Sequence, residues 1–500
     1  MRDWLAVATE QHPEKPFVLF SRDDAFMSTS AYSYAYLNSV AAHQAECLTN
    51  IGVMRGDYVA TLMQPGVFHI GMIWAVARVG AVLLPLNLRL TVDELRYQVE
   101  STGCKVVMCD PANSATALQL DTPEREIYIV GAPADESTKG ALPLETRHWG
   151  RFLVGEIDLD AVQSVIFTSG TSGKPKGVQI TFGNLYHSAL ASAERLGASP
   201  DDRWLCPLPF YHVGGLSIIF RSALYGSAMV LPSALGTETL IKALEQSQAT
   251  IVSLVPTMLY RMLEADFALP PSLRLILLGG AAATPELVQR CIERNLPIAL
   301  TYGLTEAASQ IATATPEQVR AKPGSVGKPL SGTTVRIIGE DGREPPPGEY
   351  GEIVVSGATV MRGYLGQPPT EGTIRTGDIG YLDADGDLWL VQRRSDLIVS
   401  GGENVYPSEI EAVLRGHPAV ADACVVGVPD AEWGQRVAAM VALRPGAALT
   451  EDTLIAFSRE RLAGYKQPRR VVFVDELPQT ASGKVQRAKV QKYMSGDVGA

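Results

Sequence analysis

The sequence predicts an α/β fold with a large N-terminal domain of layered α/β sheets, a β-rich subdomain, and a small α+β C-terminal domain. Short, apolar, β-branched runs typical of buried strands lie at residues 106–109, 127–130, 164–167, 228–231, 250–255 and 275–280. Helical patterns stand between several of these runs, at residues 184–196 and 239–246. This alternation predicts at least two largely parallel sheets before residue 330.

The pattern changes at Gly332, where strand signals alternate with acidic, Gly- and Pro-rich turns up to Val391 and predict a compact β unit. A charged cluster at 393–396 then precedes a second α/β pattern, with helices at 407–415 and 451–461 and strands at 423–428 and 471–474. We therefore expect an N-terminal domain over residues 1–394, with its β-rich subdomain at about 330–394, and a C-terminal domain over 395–500.

Composition narrows the class of protein. The chain has 500 residues, which is longer than a single hydrophobic core usually serves, and 46% of them are hydrophobic. Its formal net charge of -11 argues against nucleic acid or an anionic membrane as the main partner. The six cysteines lack metal-ligand spacing, so we expect buried thiols rather than a zinc site or a disulfide framework.

No targeting or membrane segment is predicted. The first residues contain early acids and no apolar core of a secretory signal. The longest apolar stretch, residues 70–88, is interrupted by Arg78, Gly80 and Pro85, a pattern of helix, turn and strand. A cytoplasmic location follows as the expectation, while a homodimer is compatible with the sequence but not determined by it.

The loop TSGTSGKPKG at residues 168–177 has the composition of a phosphate-binding loop, although a Gly/Ser surface turn is the alternative. Glycines let backbone amides turn toward an anion, and hydroxyls and lysines complete the site. The candidate ligands are Thr168, Ser169, Gly170, Thr171, Ser172 and Lys176. Lys174 is followed by Pro175, and residues 178–181 read as a strand, so the loop is not a Walker A motif. An ATP-driven motor or switch is thereby disfavoured.

Four further motifs follow in order: YGLTE at 302–306, TGD at 376–378, RRSDLIVSGGENVYP at 393–407 and PQTASGKVQR at 478–487. With the glycine loop, they make the chain resemble the adenylate-forming family of acyl-CoA synthetases, luciferases and peptide-synthetase adenylation domains. The resemblance implies a two-step reaction with ATP, Mg²⁺ and coenzyme A. A carboxylic acid is first converted to an acyl-adenylate, and the CoA thiol then displaces AMP.

The resemblance also implies roles for particular residues. Glu306 becomes the magnesium ligand, assisted by the hydroxyls of Thr305 and Thr168, although on spacing alone Glu306 could cap a helix at 307–312. Asp378 would accept the ribose hydroxyls with Arg393 beside it, and the alternative is a turn with Gly377. The adenine and acyl groups would lie against Gly279, Gly280, Ala281, Tyr302 and Gly303.

The C-terminal motifs imply movement. Lys484 resembles the mobile catalytic lysine of the first step, whereas composition alone would make it a solvated surface charge. Ser395 is the implied hinge about which the small domain rotates. Ser400, Gly401 and Gly402 would line the pantetheine tunnel after that rotation, or form an ordinary turn.

The acyl site is expected in residues 203–226. His212 resembles the aromatic gate at the substrate carboxylate, and Ser217 and Arg221 share one face of the helix that begins at Gly214 and Gly215. Arg221 suits a second carboxylate on the substrate, unless it extends to the surface. The chain most resembles o-succinylbenzoate:CoA ligases of menaquinone biosynthesis in the segments HVGGLS, TFGN and SDLIVSGGENVYP. The alternatives are a medium-chain fatty or aromatic acyl-CoA ligase and an adenylating enzyme that loads a carrier protein.

Overall fold

A computed structural model describes residues 1–21, 29–130, 142–144, 156–168, 175–265, 267–392, 397–478 and 485–496. Two eight-stranded sheets, a four-stranded sheet and a five-stranded sheet organise these residues. Within the described ranges, no helix combines the length and apolar character needed to cross a bilayer.

The two large sheets are built from the first two thirds of the chain. Up to residue 168 the elements are α1 (Trp4–Gln11), β1 (Pro16–Ser21), β2 (Thr29–Ser33), α2 (Tyr34–Asn50), β3 (Tyr58–Leu62), α3 (Val67–Val79), β4 (Val82–Pro85), α4 (Val92–Thr102), β5 (Val106–Cys109), α5 (Ser114–Ala117), β6 (Glu126–Val130), β7 (Leu142–Leu144) and β8 (Val162–Thr168). From residue 176 they are β9 (Lys176–Thr181), α6 (Phe182–Leu196), β10 (Arg203–Leu205), α7 (Val213–Tyr225), β11 (Ala228–Leu231), α8 (Thr237–Gln246), β12 (Ile251–Leu254), α9 (Pro256–Glu264), β13 (Leu275–Leu278), α10 (Pro285–Glu293), β14 (Ile298–Leu304), β15 (Ser309–Ala314) and α11 (Pro316–Ala321).

The remaining elements form the two smaller sheets, except that the short strand at residues 363–364 joins the edge of a large sheet. They are β16 (Thr333–Ile338), β17 (Gly351–Gly357), β18 (Gly363–Tyr364), β19 (Thr373–Leu382), β20 (Leu388–Gln392), β21 (Ile398–Ser400), β22 (Glu403–Val405), α12 (Pro407–Arg415), β23 (Val420–Asp430), β24 (Gly434–Leu443), α13 (Glu451–Arg459), β25 (Arg470–Val474) and α14 (Arg487–Met494). Antiparallel β16, β17, β19 and β20 make the β-rich unit, and β21 to β25 make the C-terminal sheet.

The two large sheets share a buried layer of helices. Their strand orders are β15-β14-β13-β12-β10-β11-β1-β2 and β18-β9-β8-β4-β3-β5-β6-β7. Helix α7 lies in the common core, where Phe220 packs edge-on against Trp4 and Trp74. Because α7 is apolar over most of its surface, it is stable only when buried on several sides. The layered α/β architecture predicted from the sequence is confirmed.

The residues that flank the glycine loop form an antiparallel strand pair. β8 ends at Thr168, β9 begins at Lys176, and these two residues face each other across the pair. The predicted strand after the loop is therefore confirmed, and no helix begins there as a Walker A motif would require.

One local alternative was wrong. A single 3₁₀ turn over Thr305–Ala307 follows the YGLTE motif, and then the chain enters β15 instead of a helix at 307–312. Pairing with β14 overrides the helix propensity of the alanines, because the edge of the sheet needs its backbone partners.

All six cysteines carry free thiols, five of them buried. Burial raises the pKa of Cys104 and Cys424 to about 11, so these thiols stay protonated and unreactive at neutral pH. The expectation of buried thiols without a disulfide framework is confirmed.

Candidate active site

A cavity of about 450 Å³ lies at the carboxyl ends of β12, β13 and β14, and the β-rich unit and the β21–β22 hairpin complete its walls. Carboxyl ends of parallel strands are where open α/β sheets place ligands. Ten of the residues singled out from the sequence line it: Thr168, His212, Arg221, Gly279, Gly280, Gly303, Thr305, Glu306, Asp378 and Gly402. Residues up to 234 positions apart in the chain, from Thr168 to Gly402, thus meet at one site.

Asp378 is fixed in the wall of this cavity. Only 3% of its surface is exposed, and the Tyr302 hydroxyl donates a hydrogen bond of 2.7 Å to its Oδ2. Tyr302 is itself fully buried, so its part is to orient the carboxylate. A carboxylate held in this way presents a rigid acceptor for a ligand hydroxyl.

Glu306 lies at the turn between β14 and β15. The Tyr364 hydroxyl donates to its Oε1 at 2.8 Å, and the Lys176 ammonium lies 5.2 Å from the centre of the same tyrosine ring. Thr168, Thr305 and Glu306 all line the cavity and offer hydroxyl and carboxylate oxygens, the donor type that Mg²⁺ prefers. The residues present therefore fit a magnesium ion beside a polyphosphate.

Three positions in the cavity wall require or favour glycine. A side chain at Gly279 would meet Thr301 Cγ2 at 2.6 Å, and Gly280 has φ +78°, a conformation that favours glycine. At Gly303 a Cβ atom would lie 1.8 Å from the Ser309 carbonyl oxygen. The backbones of β14 and β15 approach too closely there for any side chain.

We expect Gly303→Ala to lower the free energy of unfolding by at least about 3 kcal/mol, because backbone atoms cannot move aside as a flexible side chain can. Chemical denaturation with a tryptophan fluorescence readout measures the change. Gly464→Ala is the matched control, since a Cβ atom added there would have no neighbour within 4 Å and the φ of Gly464 is not positive. Equal stability of the two variants would contradict the close approach at Gly303.

Arg221 extends from α7 into the cavity although only 2% of the residue is exposed. Its Nη2 donates to the Ser188 hydroxyl at 3.1 Å, and its guanidinium lies 5.8 Å from the centre of the Trp204 ring. Its Nε is buried with no hydrogen-bond partner among the described residues. Burial lowers the pKa of Arg221, but a guanidinium keeps its charge at neutral pH. The surface alternative for Arg221 is thus excluded.

His212 precedes α7 and contacts the C-terminal sheet. Its Nε2 lies 3.0 Å from Oε2 of Glu403, and Arg89 Nη1 donates to Oε1 of the same carboxylate at 2.9 Å. Although burial raises the pKa of Glu403, the charges of His212 and Arg89 lower it below its ordinary value. Glu403 therefore joins two residues of the large domain to the β21–β22 hairpin.

The double glycine turns this hairpin into the cavity. Gly401 and Gly402 have φ of +60° and +84°. A Cβ on Gly402 would lie 2.9 Å from Val255 Cγ1, and one on Gly401 would lie 2.6 Å from the Trp433 ring. The segment is both a turn and a close contact between the two domains.

Some predicted residues lie elsewhere. Ser217 is buried, and its hydroxyl donates to the Gly214 carbonyl at 3.3 Å, so it does not line the cavity. Also absent from the lining are Ser400 and four residues that each adjoin a lining residue in the chain or in space, namely Lys176, Ala281, Tyr302 and Gly401. Outside the described residues lie Ser169, Gly170, Thr171, Ser172, Arg393, Ser395 and Lys484.

Several lining residues were not predicted from the sequence, among them Gln310, Tyr364, Arg375, Asn404 and Tyr406. Gln310 had a signal, since it is a lone amide in the apolar run ASQIATA. The amide is 2% exposed, its Nε2 donates to the Thr313 hydroxyl at 3.0 Å, and its Oε1 is without a partner in the described part of the chain.

Known enzymes are similar to this chain in sequence and in structure. A protein from Geobacillus kaustophilus (strain HTA426), named 2-succinylbenzoate--CoA ligase, is 43% identical over 470 residues, covering 92% of this chain and 93% of its own. The o-succinylbenzoate CoA synthetase (MenE) of Bacillus subtilis is similar in structure, with 98% of each chain covered and 35% identity. Its TM-score is 0.88 for a double mutant bound with the product analogue OSB-NCoA, and 0.71 for the complex with the acyl-adenylate intermediate OSB-AMP.

Two family descriptions match the chain, in the order in which its two domains follow each other. "AMP-binding enzyme" matches residues 5–365, and "AMP-binding enzyme C-terminal domain" matches residues 409–484. The chain belongs to the AMP-binding enzyme family.

Proposed function

We propose that the chain is an ATP-dependent carboxylate:CoA ligase that converts o-succinylbenzoate to o-succinylbenzoyl-CoA through an acyl-adenylate, releasing AMP and pyrophosphate. Its substrates are ATP, o-succinylbenzoate and coenzyme A, and Mg²⁺ accompanies ATP. The family, the 43% identical relative named 2-succinylbenzoate--CoA ligase and the MenE structures support this assignment.

The burial of Arg221 at the cavity is the observation that supports o-succinylbenzoate as the acid. A buried cation without an acidic partner among the described residues is costly unless a ligand completes its environment. Activation of one carboxylate of o-succinylbenzoate leaves the other free, and guanidinium binds carboxylate through charge-assisted hydrogen bonds. A fatty acid offers no such group, so an aliphatic pocket would have no use for a buried arginine.

Charge repulsion between the acid and ATP is the difficulty of the first step. Lys176 beside Tyr364, and Lys484 by family resemblance, supply positive charge, while Asp378 orients the ribose. Glu306 and Thr168 would hold magnesium, which would supply charge neutralisation for the leaving pyrophosphate. The carboxylate attacks the α-phosphorus, and the bond from that phosphorus to pyrophosphate breaks.

The domain arrangement suits the second step. The chain superimposes better on the MenE complex with a CoA product analogue than on the complex with OSB-AMP, at TM-scores of 0.88 and 0.71. In this arrangement Gly402, Asn404 and Tyr406 of the C-terminal domain line the cavity beside His212. We infer that the CoA thiol reaches the adenylate along this hairpin and displaces AMP, and that Ser395 is the hinge between residues 1–394 and 395–500.

A pyrophosphate-release screen tests the choice of acid. We expect release with o-succinylbenzoate to exceed release with benzoates and with C4 to C16 fatty acids by at least about 100-fold in kcat/KM, because only the dicarboxylate satisfies Arg221. CoA is then added, and detection of the released AMP completes the assay. Robust release with a fatty acid and none with o-succinylbenzoate would reject the substrate and leave the chemistry intact.

A cytoplasmic location and a homodimeric assembly stay predictions. Light scattering of the purified protein tests the second.

A further inference from the structure

A buried cluster of three charges joins the two domains away from the cavity. Lys466, in the 3₁₀ turn Gly464–Lys466 of the C-terminal domain, is only 3% exposed. Its ammonium donates to Glu94 Oε1 at 2.6 Å and to Glu409 Oε1 at 2.7 Å. Glu94 belongs to α4 of the large domain and Glu409 to α12 of the small one, so the cluster spans 372 residues of sequence.

Glu94 is held rigidly by its own helix. Its Oε2 accepts hydrogen bonds from the Thr91 amide at 2.8 Å and from the Thr91 hydroxyl at 2.9 Å, which completes a capping box. The other oxygen, Oε1, faces Lys466. A carboxylate that caps a helix of one domain therefore binds a lysine of the other at a fixed position.

Only one bond of the cluster depends on how the domains are arranged. Lys466 and Glu409 both belong to the small domain and move together, whereas Glu94 and Lys466 separate whenever the small domain rotates. Glu409 Oε2 is buried and has no partner among the described residues, and burial raises the pKa of Glu409 against the opposing charge of Lys466. A buried charge needs its partner at a fixed position. Such a cluster therefore favours one domain arrangement over others more than it stabilises the fold.

We propose that Glu94 and Lys466 are positioning residues for the thioester step, which select the domain arrangement seen here through a buried interdomain ion pair supported by Glu409. The inference rests on the proposed function, since it assigns this arrangement to the step that consumes CoA. Neither side chain lines the cavity, so both act through the position of the β21–β22 hairpin.

Separate measurement of the two half-reactions tests the inference. Glu94→Gln keeps the helix cap but removes the charge, and we expect single-turnover thioester formation from preformed adenylate and CoA to fall about tenfold, the equivalent of one lost charge-assisted hydrogen bond. Pyrophosphate release from ATP and the acid should stay within about twofold of wild type. Lys466→Met leaves two carboxylates facing each other and should lower thioester formation by about 100-fold or more.

Asp93→Asn is the matched control. It removes the same charge from the same helix turn, but the Asp93 side chain is 72% exposed and pairs with Arg96 at the surface. We expect it to change neither half-reaction. The inference is overturned if Glu94→Gln slows both half-reactions equally or neither, or if Asp93→Asn has the same effect. Wild-type activity with o-succinylbenzoate tests the proposed function separately, because the ratio of half-reactions is measured with whichever acid is activated.

Discussion

Replacing Arg221 by methionine is expected to lower kcat/KM for o-succinylbenzoate by at least about 100-fold, mainly through a higher KM. The side chain is buried in the cavity wall and, among the residues that the structure describes, makes one hydrogen bond, to Ser188, so a bound carboxylate would complete its environment. Methionine has similar length without the charge, and the substrate's second carboxylate would then be buried unpaired. Steady-state pyrophosphate release over a range of acid concentrations measures the effect.

The matched substrates for this variant are the two monocarboxylate analogues of o-succinylbenzoate, in which one or the other carboxylate is replaced by methyl, and only the analogue that keeps the carboxylate attacking ATP can be adenylated. Arg221→Met should use this analogue at least as well as the wild type does, because the buried cation no longer needs a partner. The free energy of unfolding should not fall for the same reason. An unchanged KM for the dicarboxylate would remove Arg221 from the substrate site.

Lys484→Ala is expected to slow adenylate formation by about 1000-fold while leaving thioester formation from preformed adenylate largely intact. Lys484 lies outside the described residues, and its role rests on the motif PQTASGKVQR and on the family match that extends to residue 484. A lysine that binds ATP and the carboxylate in the first step stabilises charge only there. Rapid-quench measurement of each half-reaction separates the two outcomes.

Lys489→Ala is the control for this prediction, since Lys489 is an exposed lysine on α14 five residues further along the chain. It should leave both half-reactions unchanged. Equal loss of both half-reactions in Lys484→Ala would contradict a role confined to adenylation.

Much of the architecture was predictable because it is encoded locally. The apolar run at 106–109 is β5 and the run at 228–231 is β11, since a uniformly apolar, β-branched segment is stable only between two covered faces of a sheet. The helix at 407–415 likewise agrees with α12, which begins at a proline as helices favour. The alanine-rich segment after Glu306 is a strand and not a helix because it pairs with β14, and helix propensity carries no information about that pairing.

The motif residues that line the cavity were likewise predictable from the chain. Gly279, Gly303 and Asp378 all lie at the cavity. Close backbone packing requires a glycine at the first two positions, and a carboxylate is a suitable acceptor for a ligand hydroxyl at the third. Gln310 and Glu403 were missed, since one reads as an interruption of a strand and the other as an ordinary acid after a turn. Nothing within a few residues of either indicates what it faces.

Motifs and periodicity are properties of short segments, so the family, the layered α/β class and the chemistry of the reaction could be predicted from the chain alone. The folded chain was needed to establish that Arg221 is buried at the cavity, that His212 contacts Glu403, and that Lys466 pairs with Glu94. These contacts join residues 191 and 372 positions apart. Charge pairing and burial depend on distance in space, which local sequence does not encode.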